Sequence, residues 1–278
     1  MKSYKHRPRH QAQSPTSHDI PIKKRYSQNF LRDQTVVNAA LDAVKLDQTT
    51  NIFEIGCGDG FLTREILQHD IARLWVFEID ADWVQHVQTT LPDPRLTVFH
   101  TNILDYDFTP MAAYKPWTLL ANLPFQVTFP ILYMLQRERH LLHEGVVMVQ
   151  EEVAQKIVKT SGRGYGYPSL FLQRYFELRL LTKVPPSAFY PSPSVFSRLL
   201  YFKPRVNVAP IAQEDEFWQF IKICFRQPRR TLKNNLIQST YRLDVVSEET
   251  LALRAQQMSM DDLIALWNTL LVASDVEI

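Results

Sequence analysis

The run Asn51-Ile52-Phe53-Glu54-Ile55, followed by Gly56-Cys57-Gly58-Asp59-Gly60 and a helical pattern over 61–69, constrains this chain more than any other feature. Glycines at the carboxyl end of a first strand let the backbone turn sharply and approach a ligand, and such turns sit at the ligand crevice of a doubly wound sheet. The residue five after Gly56 is Phe61, where a dinucleotide fingerprint needs Gly or Ala for close helix packing, so the pattern argues against a nicotinamide cofactor. A second apolar run over 74–79 carries Glu78, 18 residues after Gly60, where a carboxylate can accept hydrogen bonds from both hydroxyls of an adenosyl ribose. A tight structural turn plus a surface acid is the plainer reading of the same residues.

Further strand patterns at 96–100, 117–121, 145–150, 178–184 and 198–202 interleave with helical patterns at 33–44, 81–90, 128–139 and about 169–176. This alternation predicts an α/β fold of Rossmann-like architecture with a mostly parallel sheet. Beyond Pro204 helical periodicity takes over at 216–225, 231–239, 248–256 and 261–271, which predicts a small all-α C-terminal domain.

The net charge of +2 conceals an uneven distribution. Residues 1–25 hold seven basic residues against Asp19 alone, a net +6, leaving 24 basic against 28 acidic residues, a net −4, elsewhere. With almost nothing apolar, this arm is expected to be disordered, serving either as a solubilising extension or as a segment that neutralises phosphates. No apolar run approaches the roughly 20 residues needed to cross a bilayer, and the basic, polar start is unlike a signal peptide, so a cytoplasmic protein is expected. Cys57 and Cys224 stand alone and no Cys or His pair has metal-ligand spacing, so neither disulfide nor metal is expected.

The segment Asn122-Leu123-Pro124-Phe125 closes the apolar strand pattern at 117–121, on the same rim as the glycine turn. The exocyclic amine of adenine is a poor nucleophile, because its lone pair is delocalised into the ring. Accepting both of its N–H groups, at the Asn122 side-chain oxygen and the Leu123 carbonyl, favours rehybridisation and aims the lone pair at a methyl sulfonium. Pro124 holds that carbonyl in a fixed direction and Phe125 offers a face for the base. No metal or strong base is needed, because the amine becomes acidic once methylated. A strand-ending Asn-Pro turn with a buried Phe is the alternative.

Five motifs in register now resemble one family: Tyr26-Ser27-Gln28-Asn29-Phe30-Leu31, Glu54 to Gly60, Phe77-Glu78-Ile79-Asp80, Asn122 to Phe125, and Val184-Pro185-Pro186-Ser187-Ala188-Phe189-Tyr190-Pro191-Ser192-Pro193. Together they look like the rRNA adenine dimethyltransferases, from about Lys23 to the C-terminus. The resemblance implies a class I methyltransferase using S-adenosylmethionine, with, after the basic arm at 1–25, a catalytic domain at 26–204 and a helical RNA-contacting domain at 205–278. It implies transfer of two methyl groups to N6 of each target adenosine in rRNA. It places Gln28, Asn29, Leu31, Gly56, Gly58, Glu78, Ile79, Asn102, Ile103 and Asn122 at the cofactor, and Phe125 and Phe189 on the two faces of the target base.

Four positions depart from the family pattern. Cys57 stands where Pro or Ser is common, Ala121 where Gly precedes the Asn, and Phe125 where Tyr is more frequent. Asn102 replaces an Asp that accepts from the cofactor's adenine amine; a neutral oxygen accepts more weakly, so Asn102→Asp is expected to tighten cofactor binding. Near the C-terminus, Lys222, Arg226, Arg229, Arg230 and Lys233 carry five positive charges without an intervening acid. They form either a solvated basic face or a phosphate-binding one, with Arg226, Arg229, Arg230 and Lys233 as the RNA contacts. The stretch from Arg226 to Leu236 resembles that of the housekeeping enzymes acting on two adjacent adenosines of small-subunit (16S) rRNA in ribosome biogenesis. Two other readings stay open: the relative that dimethylates one adenosine of large-subunit (23S) rRNA and confers macrolide resistance, and a nucleic-acid-binding factor on a methyltransferase scaffold.

Overall fold

The computed structural model describes residues 20, 21, 23 and 28–274. Among the described residues the first elements are a two-residue strand, β1 (Phe30–Leu31), and α1 (Gln34–Leu41), which starts where the Asp33 carboxylate accepts the Thr35 amide at 2.9 Å. Strand–helix units follow: β2 (Asn51–Ile55), α2 (Phe61–Leu67), β3 (Arg73–Glu78), α3 (Ala81–Thr90), β4 (Leu96–His100), β5 (Trp117–Asn122), α4 (Thr128–Arg137) and β6 (Leu142–Gln150). Next come α5 (Glu151–Ile157), α6 (Tyr167–Tyr175), β7 (Phe176–Val184), a second short strand β8 (Phe189–Tyr190), and β9 (Ser197–Pro204). Helices α7 (Glu214–Cys224), α8 (Leu232–Leu236), α9 (Glu248–Ala252) and α10 (Met260–Ser274) are the last elements among the described residues.

Seven strands form one sheet in the order β4-β3-β2-β5-β6-β9-β7. The pairs among the first five are parallel, and β9 runs antiparallel to both β6 and β7. This is the α/β, mostly parallel architecture that the alternation predicts. From β2 the chain winds outward through β3 to β4, and then returns to the other side of β2 as β5. The switch point between β2 and β5 opens a crevice at the carboxyl ends of these strands, where helices leave in opposite directions.

Both faces of the central strands are buried, which is why β2, β5 and the second half of β6 read as largely apolar runs, whereas the edge strand β7 alternates. Phe53, Phe77, Trp117, Leu119 and Val147 pack on one face; Ile52, Leu74, Val76, Leu120 and Val146 pack on the other, with α1 and α2. The first of these cores runs without a break into the C-terminal helices, through Phe171 and Tyr175 to Phe217, Trp218, Phe220 and Trp267. The predicted helices at 231–239 and 248–256 are shorter than expected, and α5 is not foreshadowed by any pattern in the sequence. The basic arm predicted at 1–25, with Tyr26 and Ser27, lies outside the described residues except for Ile20, Pro21 and Lys23. Ile20 is buried with Phe30 and Trp83, so this point of the segment packs on the domain. No helix among the described residues is long and apolar enough to cross a membrane.

Candidate active site

The crevice holds a pocket of about 240 Å³. Its first wall is the glycine turn. Gly56, Gly58 and Gly60 have φ of +75°, +51° and +80°, a region L side chains rarely adopt, so the turn needs glycine. A Cβ built on Gly56 would meet nothing within 4 Å, so its missing side chain leaves room for a ligand against the backbone. At Gly58 a Cβ would come within 2.8 Å of the Phe30 ring.

Opposite the turn, Glu78 ends β3 and is nearly buried. Its two oxygens take the amides of Asp80 at 2.9 Å and Gly58 at 3.2 Å, which locks the carboxylate between the two strand ends. Burial raises its pKa, and those amides partly offset the shift. Ile79, the next residue, lies exposed on the pocket rim. Asp80 caps α3 and receives Gln28 Nε2 at 3.1 Å and the Lys23 ammonium at 2.5 Å; the Lys23 amide in turn donates to Gln28 Oε1 at 2.8 Å. The wall formed by Gln28, Asn29 and Leu31 is thereby pinned to the strand end that carries Glu78. The two-strand ribbon of β1 and β8, with Leu31 opposite Phe189, brings Phe189 to the same pocket.

The third wall comes from the end of β5. Leu123 donates its amide to Met148 O at 3.1 Å and is itself buried, which turns the chain inward. Asn122 Nδ2 donates to the Asn29 carbonyl at 3.1 Å. Among the described residues, neither Asn122 Oδ1 nor the Leu123 carbonyl accepts a hydrogen bond. Two adjacent acceptors are left at the pocket, with Pro124, Phe125 and Phe189 lining it beside them. Such a pair, between aromatic side chains, can receive a two-hydrogen amine.

Asn102 and Ile103 also line the pocket, but Asn102 is more engaged than the sequence suggests. Its Oδ1 accepts the Leu104 amide at 3.2 Å, and its Nδ2 donates to Asp105 Oδ2 at 2.8 Å. The motifs therefore converge: every residue expected at the base or the cofactor lines one pocket.

One buried group was not singled out by its motif. Glu54, 1% exposed, lines the pocket from β2, and its Oε2 accepts the Thr63 hydroxyl at 2.7 Å. Burial, with the nearby negative charges of Glu78 and Asp59, pushes its pKa up to about 8. An acid in the otherwise apolar run Ile52-Phe53-Glu54-Ile55 was the available signal. The Cys57 thiol is likewise held neutral by burial beside Glu78 and Glu54, which does not favour a reactive thiolate. Among the described residues no cluster of His, Cys, Asp or Glu could hold a metal ion.

The basic C-terminal residues do not line this pocket. Arg226, Arg229 and Arg230 lie exposed in the turn between α7 and α8 and make no ion pair among the described residues. The Asn235 side chain clamps that turn, accepting the Gln227 amide at 3.1 Å and donating to the Gln227 carbonyl at 3.2 Å. Lys233 differs, since Glu248 of α9 meets its ammonium at 3.2 Å, and Lys222 lies over the Tyr167 ring. Of the five charges, only Lys233 gains an acidic partner in space among the described residues.

Comparison with known proteins bears on these features. The family model described as ribosomal RNA adenine dimethylase matches residues 20–269. The chain is 35% identical over 250 residues to a ribosomal RNA small subunit methyltransferase A of Chlorobium phaeobacteroides, covering 90% of this chain and 91% of that protein. Among solved structures, a dimethyladenosine transferase from Plasmodium falciparum superposes with a TM-score of 0.74 at 19% identity, covering 88% of this chain and 97% of that one. The 23S rRNA methyltransferase ErmE gives 0.66 at 21% identity, covering 87% and 99%. At these identities the two structures speak for the fold.

Proposed function

Because the chain belongs to the ribosomal RNA adenine dimethylase family, and is thus an S-adenosylmethionine-dependent rRNA adenine dimethyltransferase, we propose that it dimethylates N6 of two adjacent adenosines near the 3′ end of small-subunit (16S) rRNA. On this reading it acts in the cytoplasm during ribosome biogenesis, in line with the small-subunit enzyme it resembles and with the exposed Arg226, Arg229 and Arg230.

The observation that carries the chemistry is the pair of unengaged acceptors, Asn122 Oδ1 and Leu123 O, in the pocket that also holds the glycine turn and Glu78. The residues present fit the cofactor: an open glycine backbone for its amino-acid end, and the fixed Glu78 carboxylate for its ribose hydroxyls. Held by these residues, S-adenosylmethionine would supply an electrophilic methyl group on its sulfonium, with S-adenosylhomocysteine as the product. Asn122 and Leu123 accept the two amine hydrogens, which raises electron density at N6 and directs its lone pair. Pro124, with ψ of 129°, holds the segment extended as it leaves Leu123, and Phe125 and Phe189 stack on the base. Once N6 carries the methyl group it sheds a proton readily, so no general base is assigned.

Labelled S-adenosylmethionine incubated with unmodified ribosomal subunits, followed by RNA digestion, tests the proposal. N6,N6-dimethyladenosine in small-subunit RNA is expected. Label confined to large-subunit RNA would assign the macrolide-resistance activity instead, and no transfer would leave a binding factor.

A further inference from the structure

The residues after Phe189 leave a set of apolar side chains that the pocket does not use. Tyr190 is 64% exposed, Val195 40% and Phe196 45%, although a monomer buries most side chains of this kind. In β8 successive side chains point to opposite sides, so Phe189 turns inward to the pocket while Tyr190 turns out. The short strand is a partition with one aromatic ring on each side.

The outer side is held in place. Pro191 and Pro193 limit the loop, and Ser192 Oγ ties it to Pro186 O at 2.9 Å. Phe196 O accepts the Glu151 amide at 2.9 Å, and the Lys183 ammonium lies 4.4 Å from the centre of the Phe196 ring. Glu151 is gripped by Arg198 through contacts of 2.6 and 2.8 Å; the Lys183 charge also acts on it from a distance, but Lys183 makes no ion pair among the described residues. Exposed rings beside a cation that makes no ion pair among the described residues suit a base with its phosphate better than an apolar peptide.

We infer that Tyr190 and Phe196, with Lys183, form a stacking surface for the unpaired RNA nucleotide next to the target adenosine. A base drawn into a pocket leaves its neighbour without a stacking partner, and a fixed ring outside the pocket replaces that contact at little entropic cost. The inference rests on the proposed activity and adds how the strand is held while one of two adjacent adenosines is inside.

The test uses the full-length protein with S-adenosylhomocysteine and single-stranded RNA carrying 2-aminopurine, an adenine analogue quenched by stacking, beside the target. The wild type should quench it. Tyr190→Ala and Phe196→Ala should each relieve the quench and raise KM for RNA about 5- to 100-fold, with kcat and cofactor affinity nearly unchanged. Tyr190→Phe should retain both properties. Because the rings are exposed, the variants should melt with the wild type. A double Ala variant with wild-type quench and KM would overturn the inference. A wild type that transfers no methyl to rRNA would instead overturn the reading beneath it.

Discussion

Asn122 and Asn29, 93 residues apart, are joined by the Asn122 amide donating to the Asn29 carbonyl at 3.1 Å. That bond fixes which end of the Asn122 side chain faces the pocket. With Nδ2 engaged by a carbonyl, Oδ1 is left as the acceptor. Asn122→Asp cannot donate to Asn29 and would set a carboxylate against its carbonyl; Asn122→Ala removes the acceptor altogether. Both are expected to lower kcat by at least roughly 100-fold in single-turnover methyl transfer. A change confined to KM for RNA would show that Asn122 only helps to bind.

The basic turn offers an internal contrast. Reversal of Arg229 and Arg230 to Glu should weaken RNA binding and lower the slope of log K against log salt by about 0.7 to 0.9 for each phosphate that is no longer neutralised. Lys233, already satisfied by Glu248, should contribute less, so Lys233→Gln should change the slope by a smaller amount than Arg229→Gln. Equal slopes would show that the surface pair is exchanged freely for phosphate.

Asn102 and Asp105 must be varied together. Asn102→Asp gains a charged acceptor for an adenine amine, but it loses the donor to Asp105 Oδ2 and places two carboxylates side by side. The double variant Asn102→Asp/Asp105→Asn restores a donor at 105. Calorimetry should find its affinity for S-adenosylmethionine several-fold above that of the wild type and above that of the single variant.

Glu54 makes stability depend on pH. Its pKa is raised by burial to about 8 in the folded protein, so between the ordinary carboxyl range and that value the folded state binds more protons than the unfolded chain. Stability contributed by the neutral acid is therefore full at low pH and is lost as pH rises towards 8. Glu54→Gln keeps an acceptor for Thr63 and cannot ionise. Chemical denaturation at pH 5, 6, 7 and 8 should show a smaller decline for this variant than for the wild type, with Glu78, whose pKa is also raised by burial, acting in the same direction. Parallel declines would mean that Glu54 is ionised in the fold.

Local features made much of this molecule legible from its sequence. The strands around the sheet centre stand out because both faces are buried, so runs such as Ile52 to Ile55 and Trp117 to Ala121 are largely apolar. The glycine turn, Glu78 and Asn122 to Phe125 could be placed on one rim because each follows directly on a strand. Less was visible where local pattern is weak. In α5 only Ala154 and Ile157 are buried, too few to set a period. β1 and β8 are two residues each, and exist as strands because they pair with one another across the chain.

What tertiary structure alone decided is the state of the groups inside those motifs. Spacing gives Asn102 a free oxygen, whereas folding gives that oxygen to Leu104 and the amide to Asp105. The sequence sets Lys233 in an unbroken basic stretch, whereas the packing of α9 brings Glu248 to it. Asn122 presents Oδ1 because Asn29 occupies its other end, and burial raises the Glu54 pKa to about 8. Residue types and their order name the chemistry available. Hydrogen-bond competition and desolvation act over a few ångströms between segments distant in the chain, so which donors, acceptors and charges remain in use is settled only when those segments meet.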